Sequence, residues 1–154
     1  MWQASDMEAH DARAELTPRV VDSLYVEAML LADEARAYFD SAGRDDRLAL
    51  DARVRIGFAC ESLRVTTRLM QVIAWLMTQR AVAAGELPAG IERRLGEAPE
   101  SDEAVLPLMP EAALALIRSS RDLYERIRRI EEGAAPEPAP SPARSLLSRL
   151  QRSL

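Results

Sequence analysis

Apolar positions recur along most of the chain at alternating steps of three and four, which is the spacing of one face of an α-helix. The first such stretch starts at Thr17 and Pro18, a pair typical of a helix N-cap and first turn. It ends near Gly43, a residue type common just beyond a helix C-terminus. The pattern predicts a helix over 17–41. Its apolar face consists of Val21, Leu24, Ala28, Leu31, Ala35 and Tyr38.

A second periodic stretch covers 45–84 and stops before Gly85 and Pro88. Its apolar residues fill about 200° of a helical wheel, whereas a helix that packs against one neighbour needs only ~100°. We therefore expect a long central helix that touches two neighbours. The apolar residues of this arc are Val54, Phe58, Leu63, Val65, Leu69, Met70, Ile73, Leu76 and Met77.

Residues 86–110 contain four of the nine prolines. This composition predicts a long connection with one short helical turn at 91–95. A third helix is predicted over 110–132, with Gly133 closing it. Three such helices predict an all-α fold, a three-helix bundle in up-down-up order around the long second helix. The apolar face of the third helix consists of Leu116, Leu123, Ile127 and Ile130, together with Ser120.

The two ends lie outside the predicted bundle of residues 17–133. Residues 1–16 are polar and unpatterned and predict a flexible arm. Residues 134–154 begin with a spacer of four prolines, which extends about 30 Å. A short amphipathic peptide follows, and we consider four roles for it: docking to a partner, folding back on the bundle, binding a membrane surface, or none. Its docking residues would be Leu146, Leu147, Leu150 and Leu154, with Arg149 and Arg152 beside them.

Composition disfavours an enzyme. Catalytic triads and metal sites need several His or Cys side chains, and the 154 residues contain one of each. We predict no catalytic residue, no metal and no cofactor. The single Cys60 excludes an internal disulfide, no secretory signal is visible, and no apolar run is longer than that of 72–77, which is too short for a membrane span. These features predict a cytoplasmic protein.

Arginines concentrate in the third helix, but the net charge of the chain is −5, which disfavours nucleic acid as a partner. Three glutamates, Glu125, Glu131 and Glu132, stand at spacings that allow ion pairs within the helix. A salt-bridged, solvent-exposed face is the simpler interpretation, and nucleic-acid or membrane-surface binding is the weaker alternative. The arginines are Arg118, Arg121, Arg126, Arg128 and Arg129.

The side of the second helix opposite its apolar arc is polar, yet it contains Gly57 and Trp75. Glycine permits close approach of another backbone, and tryptophan with arginine is favoured in protein interfaces. We therefore predict a partner or dimer surface here. Val26 and Leu30 of the first helix either extend this surface or are single exposed apolar residues. Alternatively, Trp75 stacks against its helical neighbours or is covered by 86–110. The predicted surface on the second helix consists of Gly57, Glu61, Arg64, Arg68, Gln71 and Trp75.

The stretch CESLRVTTRLMQVIAWLMTQRAVAAGEL, residues 60–87, resembles the signature segment of the RcdA family of alphaproteobacteria, and VEAMLLADEARAYFD, residues 26–40, is similar more loosely. The resemblance implies a three-helix bundle, usually a homodimer, with no catalytic role and a flexible C-terminal tail. It also implies a cell-cycle adaptor that tethers cargo proteins to the AAA+ protease ClpXP, primed by a response-regulator-type adaptor. The alternative is a structural or oligomerisation module that binds or sequesters a partner with no protease link.

Overall fold

The computed structural model describes residues 4–88, 94–134 and 149–150. Among these residues there is no strand, and the three long helices α1, α3 and α4 pack together as the predicted three-helix bundle. In chain order, the elements are α1 (Ala4–Ala37), a π-helical turn (Tyr38–Ala42), α2 (Gly43–Leu48), α3 (Ala52–Ala83), a 3-10 helix (Leu106–Leu108) and α4 (Glu111–Ala134).

The first helix starts earlier than the sequence pattern predicts. α1 begins at Ala4 and continues through Pro18, although an interior proline removes one backbone hydrogen bond. Residues 4–16 are rich in Ala and Glu, which have high helix propensity. The prediction gave the cap-and-proline pair more weight than this propensity. The predicted start of the first helix at residue 17 is therefore wrong, since α1 begins at Ala4.

Gly43 does not end a helix. It is the first residue of α2, and it is buried against the preceding π-helical turn. A Cβ atom at this position would lie 2.8 Å from the backbone oxygen of Tyr38 and 3.1 Å from the ring of the same residue. The Tyr38 hydroxyl also donates a hydrogen bond to Asp46 Oδ2 at 2.8 Å. The glycine thus allows the turn and α2 to pack closely.

The predicted helix over 45–84 is broken before Asp51. The Asp51 carboxylate caps α3 by accepting a hydrogen bond from the backbone N–H of Arg53 at 2.9 Å. Arg55 then reaches back and donates to the carbonyl of Leu50 at 2.9 Å. An aspartate before a periodic stretch is a recognised N-cap signal. The prediction of one continuous helix overlooked that signal.

α1 and α3 run antiparallel. At one end of the pair, Asp22 of α1 lies 3.1 Å from Arg80 of α3. At the other end, the rings of Phe39 and Phe58 are 5.5 Å apart in an edge-to-face arrangement. Residue numbers therefore rise along α1 while they fall along α3, as predicted for the first two helices.

α4, in contrast, runs parallel to α3. Val105, just before α4, lies against Gly57 near the start of α3. Further along both helices, Arg68 of α3 donates to the hydroxyl of Ser120 of α4 at 3.4 Å. Residue numbers rise together in the two helices. The predicted up-down-up order is therefore wrong in its last step.

The length of the connection explains this direction. α3 has 32 residues, so it is about 48 Å long. An antiparallel neighbour would need only a short loop, but a parallel neighbour requires the chain to return along the whole helix. The connection between α3 and α4 makes that return: Gly96 lies beside Gln71 of α3, and Val105 lies beside Gly57 near the start of α3. Of the predicted helical turn at 91–95, residues 91–93 lie outside the described residues, and Arg94 and Leu95 are not helical.

Most predicted core positions are buried. From α1 these are Val21, Leu24, Ala28 and Ala35, from α3 Phe58, Val65, Leu69 and Leu76, and from α4 Leu116, Ser120, Leu123 and Ile127. Three members of the predicted arc on α3 are instead exposed: Leu63 and Met70 at 67% and Met77 at 55%. α1 and α4 also touch each other, so both lie on the same side of α3. α1 and α4 therefore cover only part of the predicted apolar arc of α3.

Candidate partner interface

The polar side of α3 is covered by the connection that follows the helix. Glu61, Arg68 and Trp75 are only 1%, 3% and 5% exposed. Val105 fills the space beside Gly57. Gly96 lies against the side chain of Gln71, and a Cβ atom on Gly96 would clash with that side chain. A partner cannot reach residues that the chain itself buries. The predicted surface on α3 is therefore wrong for Glu61, Arg68 and Trp75. The connection covers Glu61 and Arg68, and Trp75 is part of the hydrophobic core.

Glu61 is the centre of a buried hydrogen-bond network. One carboxylate oxygen accepts from the Arg64 guanidinium at 2.6 Å and from the backbone N–H of Asp102 at 3.0 Å. The other accepts from the Ser101 hydroxyl at 2.7 Å. These bonds attach the middle of the connection to α3. Arg64, which the sequence placed on the partner surface, is thus mainly a partner of Glu61.

Arg68 extends this network to a third segment of the fold. Its guanidinium donates to the Ser101 hydroxyl at 2.7 Å and to the carbonyl of Pro99 at 3.2 Å, in addition to Ser120 of α4. One side chain of α3 therefore holds both the connection and α4. Ser101 and the backbone groups that complete this network carry no sequence motif, so sequence reasoning had no signal for them.

We predict that Glu61 makes folding stability depend on acid pH. Burial alone raises the pKa of Glu61, but the bonds from Ser101, Asp102 and Arg64 outweigh it and place the pKa below its ordinary value of 4.5. A carboxylate with a lowered folded-state pKa stabilises the fold above its ordinary pKa, and this contribution is lost as pH falls through the folded-state pKa. The difference in unfolding free energy between the native protein and Glu61→Gln should therefore shrink as pH falls from about 7 to about 2.

Urea unfolding at several pH values measures this difference. The matched control is Glu97→Gln, which changes an exposed glutamate of the same connection and should leave the acid dependence unchanged. A constant difference between the native protein and Glu61→Gln across the pH range would contradict the prediction.

The apolar side chains that α3 leaves exposed are seven residues apart. We call Ile56, Leu63, Met70 and Met77 the apolar stripe. All four are 55% to 67% exposed. Beside the stripe, a groove of about 310 Å³ opens between α3 and α1 and includes Met70, Ala32 and Phe39 in its lining. Ala32 and its neighbour Ala35 are small, so the groove has room for an inserted side chain.

Val26 and Leu30 lie on the outer side of α1, where they are 56% and 64% exposed. Their exposure is compatible with the predicted partner or dimer contact, which stays a prediction. Of the predicted tail docking residues, the structure describes only Arg149 and Leu150, both helical, and Leu150 is 58% exposed. Leu146, Leu147, Leu154 and Arg152 lie outside the described residues.

Several arginines of α4 form ion pairs. Arg121 contacts Glu103 of the connection at 2.8 Å, and Arg126 pairs with Glu27 of α1. Within α4, Arg126 pairs with Asp122 at 3.2 Å. Arg128 pairs with Glu125 at 2.9 Å and with Glu132 at 2.7 Å. These pairs agree with a salt-bridged exposed face. Glu131 was predicted to form an ion pair within the helix. It instead accepts a hydrogen bond from the backbone N–H of Leu95 in the connection.

Within the part of the chain that the structure describes, no three side chains of His, Cys, Asp or Glu form a group that could hold a metal ion. The helices of the same part include none that is both long and apolar enough to cross a bilayer. Cys60 is a free thiol, half-buried on α3.

Comparison with known proteins identifies the family. The model of a family described as protein of unknown function, DUF1465, matches residues 12–154. The crystal structure of RcdA from Caulobacter crescentus CB15 is 37% identical in sequence, with a TM-score of 0.64. The match covers 77% of this chain and 92% of the RcdA chain. The chain belongs to the RcdA family, DUF1465.

Membership of the RcdA family confirms the resemblance that residues 60–87 indicated. Most of that segment is α3, the helix that contacts both α1 and α4. The RcdA-family signature thus lies in the element on which the bundle is assembled. No curated protein sequence matches this chain.

Proposed function

We propose that this protein is a non-catalytic adaptor in regulated proteolysis. It would bind cargo proteins and bring them to the AAA+ protease ClpXP, together with a response-regulator-type priming adaptor, in cell-cycle control in the cytoplasm. The observation that carries the proposal is the 37% identity with RcdA over 92% of that chain. A tether of this kind acts by raising the effective concentration of cargo near the protease.

The structure supports the proposal with a scaffold and exposed contact surface. The network of Glu61 and Arg68 attaches the long connection to the bundle, so that the three helices and the connection form one unit. The apolar stripe and the pair Val26 and Leu30 are exposed on that unit. An adaptor needs more than one such surface, because it must hold two partners at the same time.

We also propose that the adaptor is a homodimer and that the C-terminal segment contacts a partner. Residues 135–154 contain a proline spacer and a leucine-rich peptide, a composition suited to a semi-rigid arm that ends in an apolar binding segment. Val26 and Leu30 of α1 are the candidate dimer contact, because they are large, apolar and exposed.

Reconstitution of proteolysis tests the proposed function. Purified protein should accelerate degradation of a cargo, trapped from cells by inactive protease, only when ClpXP and the priming adaptor are both present. Removing residues 135–154 should abolish this acceleration and leave the melting temperature unchanged. A clearly lowered melting temperature would instead show that the tail folds back on the bundle.

Absence of acceleration for every trapped cargo would overturn the adaptor proposal. A pull-down that recovered neither protease nor response regulator would then favour the structural or oligomerisation module. For the dimer, Val26→Asp combined with Leu30→Asp should convert a dimeric mass to a monomeric mass in sedimentation equilibrium.

A further inference from the structure

The middle of the connection between α3 and α4 is attached to the bundle differently from its two ends. Near the first end, Leu95 packs against the hydrophobic core. At the other end, Leu106 and Met109 belong to that core. We call the part between these ends, residues 97–104, the central strap, and none of its residues is buried. Burial of apolar side chains therefore holds the two ends of the connection and contributes little to the strap.

Two charged side chains of α3, Glu61 and Arg68, hold the central strap by hydrogen bonds. The groups of the strap that they bind are the Pro99 carbonyl, the Ser101 hydroxyl and the Asp102 backbone N–H. The ion pair of the strap residue Glu103 with Arg121 adds little, because these side chains are 70% and 41% exposed. The closed position of the strap therefore depends mainly on the two side chains of α3.

The burial of Glu61 and Arg68 has a cost that opening of the strap removes. Taken alone, burial raises the pKa of Glu61, and it lowers the pKa of Arg68, because it disfavours the charged form of each group. Opening of the strap returns both groups to water. The gain in hydration then offsets part of the hydrogen-bond energy that is lost. Exposure of an apolar surface would bring no such gain.

The packing beside the central strap leaves space on its α4 side. A cleft of about 380 Å³ is lined by Pro99 and Ser101 of the strap, by Arg121 and Tyr124 of α4, and by Arg68. A segment that was close-packed against both helices would leave no space of this size. The strap is therefore packed less tightly than the helices that it covers.

We propose that the central strap opens as a unit while the three helices stay packed and the two ends of the connection stay attached. Local openings of this kind occur where few apolar contacts hold a segment. In the open state, Glu61 and Arg68 are exposed on α3, and Arg64 of the same helix remains beside Glu61. The strap thus acts as a cover that withholds the polar side of α3 from other molecules until it opens. The inference goes beyond the adaptor function and does not depend on it.

Carbodiimide labelling of the native full chain with glycine ethyl ester tests the opening. α3 contains a single carboxylate, that of Glu61, so mass spectrometry of the α3 peptides reports this residue alone. Label should enter Glu61 while the bundle stays folded. Ser101→Ala should raise the rate by about tenfold or more, because it removes two hydrogen bonds to charged groups that exist only in the closed state. The matched control is Glu97→Gln, which changes an exposed residue of the strap and should leave the rate unchanged.

Ile127→Val separates opening of the strap from unfolding of the bundle. Ile127 is fully buried in α4, and loss of one methyl group there destabilises the folded helices equally whether the strap is open or closed. Exchange of the Leu123 backbone N–H, which requires unfolding of α4, should accelerate by about threefold to tenfold. Labelling of Glu61 should keep its native rate in the same variant.

Three results would each overturn the inference. The first is equal acceleration of Glu61 labelling and Leu123 exchange by Ile127→Val, because Glu61 is then reached only through global unfolding. The second is a Glu61 labelling rate that Ser101→Ala leaves unchanged. The third is a native protein in which Glu97 becomes fully labelled while Glu61 stays unlabelled. None of these measurements needs cargo or protease, so their outcome is independent of the test of the proposed function.

Discussion

Replacement of Arg68 by alanine is expected to lower the free energy of unfolding by about 3 to 5 kcal/mol. The guanidinium is 3% exposed and donates hydrogen bonds to Ser101, Pro99 and Ser120. Its removal takes these three donated hydrogen bonds from the fold and a positive charge from the surroundings of the buried Glu61 carboxylate. Breaking a buried ionic network by deleting one member is costly because the remaining charge loses its compensation.

Urea unfolding followed by circular dichroism measures the effect of Arg68→Ala. Its control, Arg53→Ala, removes an exposed arginine of the same helix and should change the unfolding free energy by no more than about 0.5 kcal/mol. Hydrogen exchange should show faster exchange in the connection around Ser101, because Arg68 is one of its attachments. Equal stability of the two variants would show that the network does not hold the connection.

Replacement of Trp75 by alanine is expected to lower the free energy of unfolding by about 3 to 5 kcal/mol, with no change in oligomeric state. Trp75 is 5% exposed and is part of the hydrophobic core. Truncating a buried tryptophan removes its apolar area from the core and leaves a cavity that the surroundings fill only in part.

Chemical unfolding and sedimentation equilibrium together test the role of Trp75. Met77→Ala is the control on the same helix, since Met77 is 55% exposed and its truncation should cost less than about 1 kcal/mol. A Trp75→Ala variant with native stability and a smaller mass would restore the interface interpretation that the sequence suggested.

These two predictions concern residues that the sequence placed on a surface and the structure buries. The reason is that helical periodicity records which residues share a side of a helix but not what covers that side. The polar side of α3 contains Glu61 and Arg68, which are rarely buried unless paired. Their partners come from an irregular segment more than thirty positions away in the sequence, and neither periodicity nor motifs could place it there.

The same limitation affects the apolar side of α3. The sequence correctly indicated an apolar arc wider than one neighbour requires, and the structure covers only part of it. Leu63, Met70 and Met77 belong to the arc that was predicted to contact two neighbours. The contact between α1 and α4 draws both neighbours to one side, which leaves the apolar stripe exposed.

The sequence by itself determined the helical class, the extent of α4 to within two residues at either end, the core faces of α1 and α4, and, through residues 60–87, the family. These properties depend on local propensity and on the period of apolar residues, which neighbouring positions encode. The direction of α4, the burial of Glu61, Arg68 and Trp75, and the exposure of the apolar stripe were decided only by the tertiary structure. They depend on the path of the long connection along α3 and on how the helices pack against one another, and both are determined by contacts between residues far apart in the chain.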